Sequence, residues 1–436
     1  MLGKKCMDYL QTLGKISSTT NGLTRLILTQ EHKKSIDLIS SWMEGLNLDI
    51  EIDDIGNVIG TYKSSFPNAP TLVVASHQDS VKCGGIFDGM LGIIVPLVGL
   101  EEAKHNNRSY PFNIKLIAFA EEEGTRFETS LMGSKVFAGT FKEELLKSVD
   151  ENGITLEEAV TKFGFNTKNL TNLHPRKDVD AYLEFHIEQG PVLENESLPA
   201  GIVSSITGFK SFKISVNGKS GHAGTLPMNM RLDAGCCACE CVLAIEKVAK
   251  TTADLVATVG KMNFYPSSSN VVPERAEFTL DVRSCSQEIL DNSVEKIFNE
   301  ISHICENRKL NYTSELAFEN VPVPCSNKIT KIIEKSFIDL NLNPFYIYSG
   351  AGHDAQEMDN ITDIGMVFIR CAGGVSHNPD ESVSVDDLDT AVKKRSDAAD
   401  ERGSVDVGGR GRMKKKRGEG GRRGGERGEG RGGEGG

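Results

Sequence analysis

His77 and Asp79 stand two residues apart at the end of an apolar run, Leu72 to Ala75, and Asp88 follows a Gly-Gly loop just ahead of a second apolar run. Glu121, Glu122 and Glu123 close the run Ile114–Ala120 in the same way. His186 closes Tyr182–Phe185, and His377 lies further on in SHNP. Imidazoles and carboxylates are the donors that hold Zn²⁺, Mn²⁺ or another first-row divalent ion. Two such ions held ~3.5–4 Å apart need one carboxylate between them and further donors on each side. Taken singly, each residue has a plainer use. Asp88 can cap the helix after it, the glutamate triplet can be a solvated loop, and His186 can be a hydrogen-bonded structural histidine. Their shared position at strand ends is what points to metal chemistry, because open α/β sheets keep their ligands beyond the carboxyl ends of the strands.

Several elements must position these residues. The run Leu72–Ala75 has the unbroken apolar character of a parallel strand buried on both faces, and His77 and Asp79 leave it on the same side. Residues 1–50 carry helical apolar spacing, as in Ile36, Leu38, Ile39, Trp42 and Met43, and Glu51–Tyr62 reads as a hairpin turning near Asp54 and Gly56. The helix Met90–His105 comes next, then the strands 114–120 and 182–185, so strands alternate with helices as in an α/β layered domain. Near Gly208 the rhythm changes. Strand 209–217, helix 228–250, strands 255–264 and 276–283, helix 287–307 and strand 310–318 follow a β-α-β-β-α-β order, which predicts a ferredoxin-like α+β unit inserted into the first domain. The expected division is 1–207 and 321–395 for the layered domain, 208–320 for the insert, and 396–436 for a tail.

A chain of 436 residues exceeds one typical core, which fits two domains. No apolar stretch approaches the ~20 residues that span a membrane, and the N-terminus lacks a signal-type apolar region, so a cytoplasmic protein with reduced thiols is expected. Cys236-x-x-Cys239 is a single pair within a helical pattern and is expected to serve helix packing. The net charge of −12 hides an asymmetry: residues 401–436 hold 11 basic against 6 acidic side chains, so the remainder is more acidic still. An acidic body argues against nucleic acid as the ligand. The tail holds 15 of the 44 glycines and has too little apolar surface to fold; the alternative to a plain extension is weak RNA binding through its arginines.

SHQDSVKCGGIFDGMLG, AEEEGTRF, FHIEQGPVLE, GKSGHAGTLPMNMRLDA, SGAGHDA and GGVSHNPDESV, in this order, resemble the motif series of the amidase/hydantoinase-carbamoylase family of binuclear metallohydrolases. The resemblance covers about residues 1–392 and leans towards the branch acting on allantoate. It implies a metallopeptidase-like layered catalytic domain with an inserted lid that also forms a homodimer. It further implies two divalent ions, Zn²⁺ or Mn²⁺, and hydrolysis of the ureido C–N bond of allantoate or N-carbamoyl-L-amino acids. By the same resemblance His77, Glu123, His186 and His377 would be metal ligands and Asp88 the bridging carboxylate. Glu122 would be the general base, and Asp79 would hold the His77 ring through its other nitrogen. Arg283 and Asn270 would grip the substrate carboxylate, Gln189 would contact the ureido group, and His222 would reach an active site across the dimer to stabilise an oxyanion. Related aminoacylases and carboxypeptidases carry an acidic ligand where this chain has His186.

His353 and Asp354 belong to one of these motifs without a role derivable from the sequence, and Arg126 reads as readily structural as functional. The family's terminal helix is expected to be cut short here, since the stretch from Asp386 loses its apolar stripe at Lys393. Two other readings stay open: an aminoacylase or dipeptidase using the same chemistry, and a catalytically silent homologue.

Overall fold

The computed structural model describes residues 1–398. The strands, in chain order, are β1 (Asp49–Ile52), β2 (Val58–Tyr62), β3 (Thr71–His77), β4 (Asn113–Phe119), β5 (Ala181–Ile187), β6 (Ala200–Ile206), β7 (Gly208–Asn217), β8 (Gly221–His222), β9 (Leu255–Thr258), β10 (Met262–Tyr265), β11 (Val271–Val272), β12 (Arg275–Ser284), β13 (Asn311–Asn320), β14 (Val323–Pro324), β15 (Tyr346–Ser349) and β16 (Ile364–Ile369). Nine of them form one mixed sheet in the order β1-β2-β4-β3-β5-β16-β6-β14, with β15 beside β6. Its centre is parallel: β3 pairs with β4 and with β5, and β5 pairs with β16. The hairpin β1–β2 is antiparallel, as the turn residues predict.

All seven residues of β3 are buried. Alternate side chains serve different layers, Leu72 and Val74 facing one core and Val73 and Ala75 the other. The first core is closed by helices Leu2–Gly14, Met90–His105, Asn327–Asp339 and Val385–Ala398. The second lies under Phe137, Leu193, Ala355 and Met358. Helix Met90–His105 is sealed nearly all round, which explains an apolar composition without a polar stripe. The last helix runs on past Lys393 to Ala398 rather than stopping there. Leu388, Ala391 and Val392 are fully buried and dock the segment against the first helix and Met90–His105, so packing holds a helix that its own weak stripe did not announce. Residues 396–398, expected to open the tail, belong to this helix instead; the rest of the expected tail, 399–436, lies outside the described residues. No helix among the described residues is long and apolar enough to cross a membrane.

Residues 208–320 build a separate antiparallel sheet, β10-β12-β7-β13 with β9 also on β12. Its core is its own, between the sheet and helices Ala234–Lys250 and Gln287–Asn307. The order is that of a ferredoxin-like sandwich, with the anticipated second strand broken into β9 and β10. Strand β6 was not anticipated; its run AGIVSSI lies between two motifs and pairs antiparallel to β16. On helix Ala234–Lys250, Cys236 and Cys239 are exposed, contrary to the packing expected of them, while Cys237 and Cys241 fill the buried face. The 3.6-residue period decides this, since the buried face is set by Ala234, Ala238, Ile245 and Val248.

Candidate active site

The parallel strands end at one edge of the sheet, and there the predicted residues meet. His77 is the last residue of β3, His186 sits near the end of β5, Glu121–Glu123 follow β4, and His377 lies in the loop after β16. Asp88 is at the centre. It does not cap helix Met90–His105, whose N-cap is Gly89 without a side-chain bond. One carboxylate oxygen, Oδ1, lies 3.2 Å from His186 Nε2 and 3.7 Å from His77 Nε2. The other, Oδ2, lies 3.3 Å from His377 Nε2. His377 Nε2 is in turn 3.7 Å from Glu123 Oε2, and the two Nε2 atoms of His77 and His186 are 3.4 Å apart. Asp88 therefore belongs to two donor groups, His77–Asp88–His186 and Asp88–Glu123–His377, each with its ligand atoms within 4.8 Å. A third group of the same compactness joins His77, Glu122 and Glu123.

The backbone is shaped for this convergence. Gly89 has φ +70, and a Cβ there would lie 2.4 Å from the His77 ring, so only glycine lets the loop pass. Gln189 and His377 adopt φ of 59 and 54, left-handed conformations that cost non-glycine residues of order 1–3 kcal/mol and concentrate at functional sites. Asp79 is buried and works as a clamp. Its two oxygens accept the main-chain N–H groups of Glu122 (3.0 Å) and Glu123 (3.2 Å), and Oδ1 lies 3.3 Å from His77 Nδ1. That leaves His77 Nε2 directed at Asp88. His186 is oriented likewise, its Nδ1 3.0 Å from the Ile187 carbonyl.

Electrostatics follow from burial and crowding. Burial pushes the Asp88 carboxyl up, but the bonds to His186, His377 and His77 outweigh it and hold the group well below the ordinary range. Burial, opposed by His77 and reinforced by Glu123, Asp354 and Asp79, raises Glu122 well above the ordinary carboxylate range. Burial and Asp88 raise Glu123 to about 7. Burial disfavours the charged form of His77, yet Asp79 and Asp88 raise it well above its usual value. Acidic groups this close repel unless positive charge sits among them. The donors are nitrogen and oxygen only, and the buried Glu123 Oε1 has no hydrogen-bond partner in the protein. A divalent cation of the Zn²⁺ or Mn²⁺ type fits that set.

Gln189 joins the same centre: Nε2 donates to Asp88 Oδ2 at 3.0 Å, while its carbonyl Oε1 is buried and unpartnered. Arg283 reaches from the second sheet to the loop after β15, donating from Nη1 to the Gly350 carbonyl at 2.7 Å and from Nε to Asp281 at 2.7 Å. Gly352, in the same loop, adjoins Glu122, whose Oε1 would be 3.7 Å from a Cβ added there. His222 and Asn270 are brought to each other instead. His222 pairs with Val271 across the β8–β11 ladder, Ala223 donates to the Asn270 carbonyl, and both side chains are exposed. No hydrogen bond or ion pair links either residue to the histidine cluster among the described residues.

Sequence reasoning missed Glu381 and Ser376. Buried Glu381 accepts the main-chain N–H groups of Phe87 and Asp88 on Oε1, at 2.9 and 3.0 Å, and bonds Ser376 through Oε2. Ser376 also lies 3.2 Å from Asp88 Oδ2. The signal was present, since both residues belong to GGVSHNPDESV, yet nothing in that stretch says which backbone the carboxylate reaches. Glu184 was missed too; fully buried, it accepts from Ser76, Tyr182 and the Ala355 N–H. His353 bonds Ser349 at 2.7 Å and meets His186 edge-on, with burial holding its imidazole well below its ordinary pKa. Asp354 is buried nearby. Arg126 is structural: it spans the Ile27 and Leu28 carbonyls and Asp150.

Comparison with known proteins places this geometry. The model of peptidase family M20/M25/M40 matches residues 73–400, a metal-dependent family. An N-carbamoyl-L-amino-acid amidohydrolase of Pseudomonas sp. is 39% identical over 391 residues, 88% of this chain and 94% of the relative. The allantoate amidohydrolase of Escherichia coli is 30% identical over 392 residues, 89% and 95% of the two chains. These identities do not favour the allantoate-acting branch. A crystal structure of an amidase of the hydantoinase/carbamoylase family from Burkholderia multivorans superimposes with TM-score 0.86 at 29% identity, covering 91% of this chain and 97% of the other. With the matched segment spanning β3 to the last helix and the donors at the ends of its parallel strands, the chain belongs to peptidase family M20/M25/M40 and is similar to its carbamoylase members.

Proposed function

We propose that the protein is a metal-dependent amidohydrolase cleaving the ureido C–N bond of N-carbamoyl-L-amino acids or allantoate, with two divalent ions held by His77, Asp88, Glu123, His186 and His377. The observation that carries the reading is the Asp88 carboxylate, with one oxygen facing His77 and His186 and the other facing His377. Zn²⁺ or Mn²⁺ in such a site polarises a carbonyl and lowers the pKa of water. A ureido carbonyl is a poor electrophile and needs both effects.

Glu122, whose carboxyl is raised well above the ordinary range by burial, with His77 opposing and Glu123, Asp354 and Asp79 adding to the rise, accepts the proton of the attacking water and returns it to the departing nitrogen. The free amine, CO₂ and ammonia result. Gln189 Oε1, buried without a hydrogen-bond partner on a side chain whose Nε2 bonds Asp88, is an acceptor that favours a substrate with N–H groups to donate, which a ureido acid has at its terminal nitrogen and an N-acyl group lacks. Buried polar groups left unpaired by a wrong substrate are the strongest source of discrimination. Arg283, with Asn270, binds the substrate carboxylate; its Nη1 reaches the Gly350 carbonyl while Nε and Nη2 fork towards Asp281.

The unit 208–320 acts as lid and dimerisation domain on the catalytic domain 1–207 and 321–395. Edge strand β13 exposes Leu316 and Phe318, and Met228 and Met230 stand exposed beyond His222, surface that a second copy would cover. In that homodimer His222 serves a neighbouring active site by stabilising the oxyanion of the tetrahedral intermediate. All ten cysteines are free thiols, which supports a cytoplasmic setting.

The test is ammonia release from N-carbamoyl-L-amino acids, N-carbamoyl-β-alanine and allantoate, with N-acetyl amino acids assayed for amine release, after chelation and after adding back Zn²⁺ or Mn²⁺. Metal-restored turnover of a ureido acid is expected. Activity indifferent to chelation would overturn the mechanism, and cleavage of N-acyl substrates alone would move the protein to the aminoacylases.

A further inference from the structure

The second sheet's helices carry another group of ligating side chains. Helix Ala234–Lys250 presents Cys237 and Cys241 one turn apart, and Cys305 faces them from helix Gln287–Asn307. All three are buried, at 0%, 0% and 2% exposure. Their sulfurs lie within 4.8 Å of one another, with Cys237 Sγ and Cys305 Sγ 3.6 Å apart. An ion bound trigonally with metal–sulfur bonds of about 2.3 Å holds its three sulfurs about 4 Å apart. The cluster already has that spacing.

We propose that Cys237, Cys241 and Cys305 form a trigonal thiolate site for a soft monovalent cation of the copper(I) class. The donor set selects the ion. It offers sulfur alone, which favours soft cations over the hard and borderline ions suited to the imidazole–carboxylate centre. It offers three ligands, where a structural Zn²⁺ site closes with four. Cys236 and Cys239 cannot supply the fourth, since they project from the opposite, exposed face of the same helix.

The cluster's surroundings lower one thiol and raise the other two. Cys237 lies at the N-terminal turn of a 17-residue helix, where N–H groups and the helix dipole stabilise negative charge. A hydrogen bond with Cys241 lowers the Cys237 thiol, but the bond with Cys305 and burial outweigh it and push it up to about 12, against the positive charge of Arg308 just past the end of the facing helix; bonds with Cys237 and Cys305, and burial, raise Cys241 as well. Hydrogen bonds from Cys237 and Cys241 hold Cys305 down to about 4. Each bond to the cation replaces an S–H proton, which leaves to solvent, and no group changes oxidation state. A bound ion would tie the two helices together and raise the melting temperature by mass action.

The experiment uses the full chain with its divalent sites loaded, titrated anaerobically with copper(I) against a colorimetric copper(I) chelator. One equivalent per chain should be withheld from the chelator, with an X-ray absorption spectrum showing sulfur neighbours alone at about 2.3 Å. Cys236→Ser with Cys239→Ser should keep that equivalent, while Cys241→Ala and Cys305→Val should each weaken binding at least tenfold. The valine fills the space of the thiol, and unchanged copper-free melting and ureido-acid turnover confirm the fold. No equivalent withheld by the parent chain, binding retained in Cys305→Val, binding lost with the two exposed cysteines, or nitrogen neighbours in the spectrum would each overturn the proposal.

Discussion

Replacing Glu122 by Gln isolates one proton transfer. The substitution is nearly isosteric, and the loop is held at its main chain: Asp79 accepts the N–H groups of residues 122 and 123, and Leu131 N–H donates to the Glu122 carbonyl. Neither contact involves the side chain that changes. A positioned general base is worth about 10²–10⁴ in rate, or about 3–5 kcal/mol. The upper part of that range is expected, because Glu122 lies in one compact group with the proposed ligands His77 and Glu123, within reach of a water held there. The variant should lose about 10³–10⁴ in kcat on the preferred ureido acid, with KM changed little. Metal content, measured by mass spectrometry after desalting, should match the parent. Loss of metal would show that Glu122 is a ligand, a role its compact grouping with His77 and Glu123 permits. A rate within tenfold of the parent would refute the assignment of the base altogether.

Two further outcomes follow from the geometry. Glu381→Ala strips the N–H groups of Phe87 and Asp88 of their shared acceptor; groups that orient metal ligands are worth about 10–100-fold in affinity. Titration with a metal-sensitive dye should show that loss, and Glu381→Gln, which keeps a carbonyl acceptor, should recover most of it; equal loss in both variants would mean that the residue acts only through its charge. If His222 serves the neighbouring subunit, mixing His222→Ala with Glu122→Gln chains should restore activity. Random exchange makes about half the dimers mixed, each with one complete site of two, so about a quarter of parental turnover is expected. Two inactive proteins that stay inactive after proven exchange would place His222 and Glu122 in the same subunit's site.

The strongly patterned parts of the chain were legible. Leu72–Ala75 is apolar without interruption because β3 is covered on both faces, and the polar residues that end such runs must lie where the sheet's parallel strands end. The β-α-β-β-α-β rhythm after Gly208 foretold the order of the second sheet, since period-2 and period-3.6 patterns mark their own elements. Residue types told of nitrogen and oxygen donors suited to a divalent ion. These are local properties, carried by side-chain chemistry and spacing.

What spacing could not carry is which groups meet. That Asp88 turns one oxygen to His77 and His186 and the other to His377 depends on strand order, because β3, β5 and β16 are neighbours only through pairing of segments more than a hundred residues apart. The same holds for Glu381, which grips the backbone before helix Met90–His105 from the far end of the chain, and for Cys305, which completes a cluster with Cys237 and Cys241 only when two helices pack. Helix Val385–Ala398 runs on past its own apolar stripe, and it is anchored where neighbouring helices bury Leu388 and Val392. Long-range pairing and burial decide such contacts, and neither leaves a periodic mark on the residues that make them.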